Sequence, residues 1–129
     1  MEGNDMKKVH FTKFLLLILI CFLVGCSNDA KSTEQNIPIR DYVMQESEEP
    51  IKPTLSLKDG NRFIFIYSAL SSYIAIGSYE IDDNNLVLKT DDGKYKYVFK
   101  IKDGNLIFSA KESSAMPSYA NVPDGALFE

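Results

Sequence analysis

A chain of 129 residues has room for one domain, and its net charge of −4 gives nucleic-acid binding little footing. One histidine and two cysteines leave few of the groups that nucleophilic triads and zinc sites of the usual types require. The first 25 residues read as a targeting segment. Lys7, Lys8 and Lys13 form a positive n-region, and Phe14 to Val24 is an apolar run closed by the small residue Gly25. Eleven apolar residues fall short of the roughly 20 that a membrane-spanning helix needs. Glu2 and Asp5 are unusual in an n-region, and a start at Met6 gives the cleaner opening Met6-Lys7-Lys8.

Leu23-Val24-Gly25-Cys26 resembles the lipobox of bacterial lipoprotein signals. The thiol of Cys26 can take up a diacylglycerol, and small residues ahead of it let a peptidase approach. Cys21 follows the bulky Ile20 and is expected to leave with the signal. Cleavage before Cys26 removes three of 14 basic residues and two of 18 acidic ones, leaving 11 against 16. It also removes His10 and Cys21, so the mature chain has neither an imidazole nor a free thiol. No disulfide can form within one such chain, and packing must supply its stability. Each buried lipid methylene adds about 0.8 kcal/mol of membrane affinity, so two or three acyl chains on Cys26 make a stable anchor. The expected address is the extracytoplasmic face of the cell membrane.

Residues 26–52 read as the lipidated cysteine and a flexible tether. Asp29, Glu34, Asp41, Glu46, Glu48 and Glu49 dominate it, with too few apolar residues for a core. The alternative is a short extra strand over Ile37 to Val43. From residue 53 to 129 the texture changes to period-two stretches separated by turn residues, which predicts antiparallel strands. They fall at Thr54–Leu57, Arg62–Tyr67, Tyr73–Ile81, Leu86–Thr90, Lys94–Lys102 and Asn105–Lys111. The turns between them include Asp59-Gly60, Asp92-Gly93 and Asp103-Gly104, pairs that reach positive φ cheaply. The fold expected is all-β: an antiparallel meander of about six strands, as a curled sheet or small lipocalin-like barrel. The tail from Glu112 carries Pro117, Pro123 and Gly125 and reads as irregular, with Val122, Leu127 and Phe128 placed to cap an open barrel end.

The fifth of these strands sorts its residues by face. Tyr95, Tyr97, Phe99 and Ile101 share one side, while Lys94, Lys96, Lys100 and Lys102 share the other with Val98. Lys89 should join that second side from the preceding strand. These five lysines are the candidate face for an anionic partner such as lipid headgroups or wall polymers; the plainer alternative is a solvated face that discourages strand aggregation. The second strand is apolar on both sides, with Phe63, Phe65 and Tyr67 on one and Ile64 and Ile66 on the other. Such a strand wants cover on both.

Residues 53–128 resemble a small β module of low-GC Gram-positive bacteria. The likeness rests on Phe63 to Ile74, Gly77-Ser78-Tyr79-Glu80, Leu88 to Tyr95, Tyr97 to Ile101 and the closing Val122-Pro123-Asp124-Gly125-Ala126-Leu127-Phe128. That module occurs in small surface lipoproteins and in the extracytoplasmic tails of membrane metallopeptidases related to β-lactam sensors and antirepressors. The resemblance implies a role in envelope-stress or antibiotic sensing. It carries no catalytic residue across, because the chain has no His-Glu-x-x-His and no serine with a lysine three positions on.

Other candidate chemistry has a structural explanation beside it. Asp82-Asp83 and Asp91-Asp92 sit at turns and lack the EF-hand spacing. Ser71-Ser72 and Ser113-Ser114 have no partner base and read as bend residues. Tyr67, Tyr73, Tyr79, Tyr95 and Tyr97 would line a ligand pocket or make cross-strand pairs. The expectation is therefore a non-enzyme with no cofactor and no metal. It is a lipid-anchored interaction or sensing module whose partner is a surface protein or an anionic envelope polymer. The alternative is a lipocalin-like carrier of a small apolar or peptide ligand.

Overall fold

The computed structural model describes residues 36–129. The signal segment, Cys26 and the first part of the tether lie outside them. Eight strands follow in chain order: β1 Asp41–Val43, β2 Thr54–Lys58, β3 Arg62–Ile66, β4 Ala75–Asp82, β5 Asn85–Thr90, β6 Lys96–Lys102, β7 Asn105–Ser109 and β8 Leu127–Phe128. Each pairs antiparallel with its sequence neighbour in one sheet, and the described residues form no helix. The all-β meander expected from the alternation is what forms, with the six predicted strands as β2 to β7.

Two strands are additional, and they change the architecture. β1 falls inside the segment read as tether, within the alternative strand over Ile37 to Val43, and β8 falls inside the tail. Met44 bridges to Phe128. The Val43 N–H donates to the Glu129 carbonyl at 2.8 Å, the Glu129 N–H returns the bond at 3.0 Å, and the Gln45 N–H donates to Leu127 O at 2.9 Å. The sheet thus curls until its first and last strands meet along a short seam. The folded unit consequently begins well before residue 53. Ile37, Tyr42 and Met44 are buried and belong to the main core, and Tyr42 OH donates to Pro38 O at 2.6 Å. The expectation of a tether running to residue 52 is corrected for its described part, because three well-spaced side chains reach the core where sparse composition suggested none would.

The register makes each strand's alternation agree with its neighbours'. Tyr42 stands opposite Leu55, Leu55 opposite Phe65, and Phe65 opposite Ala75. Farther round, Tyr79 faces Leu88 and Leu88 faces Tyr97, while Leu86, Phe99 and Phe108 form another row. These inward residues are nearly all fully buried. A barrel of about eight strands has an interior just wide enough for side chains to fill. Here Phe65 lies among four rings, with centroids at 5.3 Å from Tyr97, 5.6 Å from Phe99, 5.9 Å from Tyr67 and 6.1 Å from Phe128. All four contacts are edge-on, the geometry that aromatic quadrupoles prefer. Phe128 thus completes the centre of the core and does not merely cap an end.

Local chemistry sets the turns and the bend. Lys102 pairs with Asn105 across the two-residue loop Asp103-Gly104, whose φ values of 52° and 77° are both positive, as a type I′ hairpin requires. Gly77 answers a different need. It pairs with Phe63 on one side and Thr90 on the other, and a Cβ built there would lie 1.9 Å from the Lys89 carbonyl oxygen. The β4 and β5 backbones approach so closely that only a missing side chain fits.

The barrel has two unlike ends. The chain enters β1 at the end that carries the tight β2–β3, β4–β5 and β6–β7 hairpins, where the Arg40 guanidinium donates to Gly104 O at 3.4 Å. The opposite end carries the longer connections 44–53, 67–74, 91–95 and 110–126.

Candidate functional site

The outer wall of β5 and β6 carries the predicted lysines. Lys89 and Lys96 are direct cross-strand partners, Lys100 stands between Asn85 and Ile107, and Lys102 pairs with Asn105. All four side chains are exposed. Lys96 to Lys100 is about 14 Å along the strand, and Lys100 to Lys102 about 7 Å. Lys94 departs from the expectation: it lies in the turn ahead of β6, which begins at Lys96. Its backbone N–H is held by Asp92 Oδ1 at 3.0 Å. Val98, on the lysine side, is buried all the same. The chain after β7 runs beside it: the Val98 N–H donates to Ser113 Oγ at 2.8 Å and the Ser114 N–H to Lys96 O at 2.7 Å. Ser113 and Ser114 are thus structural, in keeping with their reading as loop residues.

Like charges placed opposite one another across strands are unfavourable, and only one of this pair has an answering acid. Lys89 Nζ lies 3.7 Å from Glu80 Oε1, with both side chains about two-thirds exposed. The described ion pairs include none at Lys96, Lys100 or Lys102. Among the described residues, three of the four lysines on this wall thus stand without an answering acid.

The Asp91-Asp92 pair is engaged internally. Arg62 holds Asp91 in a two-pronged ion pair, with Nη1 at 2.8 Å from Oδ1, and that hydrogen bond holds the Asp91 carboxyl below the usual range. Asp92 accepts from the Thr90 hydroxyl at 2.6 Å, the Lys94 N–H and the Tyr73 hydroxyl at 2.8 Å. The Thr90 bond is the largest of the influences that lower its pKa. The Tyr73 phenol is pushed up, first by burial and then by donating to that carboxylate. Asp82 ends β4 and Asp83 sits in the β4–β5 hairpin with φ 53°. Among the described residues, no three of His, Cys, Asp and Glu gather as metal ligands would.

The predicted tyrosines divide. Tyr67 and Tyr97 are buried in the core, whereas Tyr73, Tyr79 and Tyr95 are partly exposed. Tyr73 meets Tyr95 edge-on at 5.2 Å, and Tyr95 lies parallel to Tyr97 at 6.3 Å. They form a ladder leading from the core to the loop end. The rings around Phe65 pack against one another within the barrel.

Strand alternation misses another surface. Ile66, Leu70, Ile74 and Ile76 are exposed on β3, β4 and the loop between them, Leu70 to 79%. Their signal in the sequence is an absence of charge: seventeen residues from Phe63 to Tyr79 contain no Asp, Glu, Lys, Arg or His. The chain matches no protein-family model, no curated protein and no solved structure.

Proposed function

We propose that this chain is a non-catalytic, lipid-anchored module on the extracytoplasmic face of the membrane, and that its β5–β6 wall engages an anionic envelope polymer. The observation that carries the reading is the spacing between Cys26, in its lipobox-like tetrad, and the barrel. Only nine residues separate that cysteine from Asn36, the first described residue of a compact folded unit. A lipid on that sulfur would hold the barrel beside the bilayer. The residues after Cys26 contain no histidine or cysteine, which supports binding over nucleophilic catalysis. Envelope-stress or antibiotic sensing is the setting that the resemblance of residues 53–128 favours.

Radiolabelled palmitate should enter the wild-type chain and be absent from Cys26→Ala. An inhibitor of lipoprotein signal peptidase should leave the unprocessed form. An unlabelled wild-type protein would end the anchor reading. For the wall, replacing Lys89, Lys96, Lys100 and Lys102 with Gln should weaken binding to a phosphodiester wall polymer at least tenfold at low salt. Near an anionic surface each lysine is worth about 1 kcal/mol. Binding that survives the four substitutions would remove the wall from the proposal.

A further inference from the structure

We infer that the charge-free β3–β4 loop and the isoleucines beside it form a second membrane contact, which lies in the interface of the bilayer to which the chain is anchored. This rests on the anchor reading proposed above and adds to it a defined docking surface.

Four observations carry it. First, the patch is continuous in the fold. Ile64 and Ile76 are cross-strand partners on the outer wall, Ile66 ends β3, and Leu70 and Ile74 lie in the loop that leads back to β4. Nothing in the described chain covers Leu70, Ile74 or Ile76, which are 79%, 50% and 44% exposed. Second, the patch itself carries no charge: no ionised side chain interrupts Phe63 to Tyr79 in a chain that is 25% charged. The charged groups that adjoin it, Arg62 beside Ile64 and Asp91 beside Ile76, are exposed and paired with each other, and Asp92 is held by Thr90 and Tyr73.

Third, the loop satisfies much of its own backbone, a condition for leaving water. The Ser71 N–H donates to Ser68 O at 3.2 Å and the Leu70 N–H to Ser68 Oγ at 3.2 Å. Ser71 Oγ accepts from the Tyr73 N–H at 3.1 Å and lies 3.0 Å from Tyr73 O. Tyr73 and Tyr95 rim the patch, and tyrosine is a side chain that settles at the headgroup level. Fourth, the chain outside the structure reaches far enough. Cys26 precedes residue 36 by ten residues, an extended span of at most about 33–36 Å. β3 has five residues, or about 17 Å. A barrel entered at its hairpin end can therefore lie on its β3–β4 wall while its lipid stays in the same leaflet.

The test uses the full lipidated chain in proteoliposomes. Acylation occupies the Cys26 sulfur, so Leu70→Cys, Ile74→Cys or Lys58→Cys each supplies one free thiol for an environment-sensitive fluorophore. Residue 58 is exposed at the hairpin end and serves as the reference. Nitroxide-bearing lipids should quench the labels at 70 and 74 at least twofold more than the label at 58. Equal quenching in a chain that floats with the vesicles would overturn the loop contact and leave the anchor standing. A chain that fails to float would remove the anchor and this inference with it. A blue shift that follows protein density and ignores the nitroxide would assign the patch to a second copy of the chain, and would overturn the inference as well.

Discussion

The wall built by β3 and β4 and the wall built by β5 and β6 share one interior and differ entirely outside. Inside, Phe63, Phe65 and Ala75 continue into Leu86, Leu88, Tyr97 and Phe99 with no change of character. Outside, isoleucines and an uncharged loop give way to lysines across a single strand pairing, Ser78 with Lys89. Packing dictates the inner residues, because each must fill a space set by its neighbours. It leaves the outer ones free. The outer walls are therefore where a function not shared with other barrels is written.

The largest effect is expected where the two walls are one. Phe65→Ala removes the ring at the centre of four aromatic contacts and should cost about 3–5 kcal/mol in urea unfolding. A smaller loss would mean that the interior relaxes more than its packing implies. Gly77→Ala strikes the junction of the walls, where a methyl meets the Lys89 carbonyl. It should cost roughly 3 kcal/mol, at the upper end of overpacking penalties. A neutral result would show that β4 and β5 can part.

Acidification probes the clasp between the β3–β4 loop and the β5–β6 turn. Asp91 and Asp92 both have carboxyls lowered by their hydrogen bonds. Their contribution is thus present above the unfolded carboxylate pKa of about 3.9 and is lost as pH falls through the lower folded values. Thermal stability should drop more steeply below about pH 4 in the wild type than in Asp92→Asn. Parallel curves would show that Asp92 is not coupled to folding. The smallest effect belongs to the lysine wall. Lys96→Glu places an opposite charge beside Lys89 and should raise stability by about 0.5 kcal/mol, with the gain shrinking as salt is added.

The central strands were legible because their signals are local. Tyr97, Phe99 and Ile101 alternate with Lys96, Lys100 and Lys102, and Asp103-Gly104 marks its own turn. Strand β8 carries no such signal, and β1 carries only the weaker one behind the alternative strand over Ile37 to Val43. Tyr42-Val43-Met44 is short and bounded by Asp41 and Gln45, and Leu127-Phe128 is two residues long; each becomes a strand through its partners in the sheet. The lysine wall was likewise readable from period two. Lys94 was misplaced because the turn bonded by Thr90 and Asp92 takes up the residues that would have extended β6. The apolar loop is hard to read from sequence because its serines give it the look of a polar bend, while Leu70 and Ile74 stand exposed among them.

The seam between β1 and β8 has a bearing on the order in which the barrel is completed. Val43 cannot find Glu129 until every strand between them has been made, so the closing contact carries a long loop-closure cost and comes late. Until β8 pairs with β7 the chain holds only an open ribbon, with Phe65 lacking its Phe128 neighbour. Leu127 and Phe128 lock the ring.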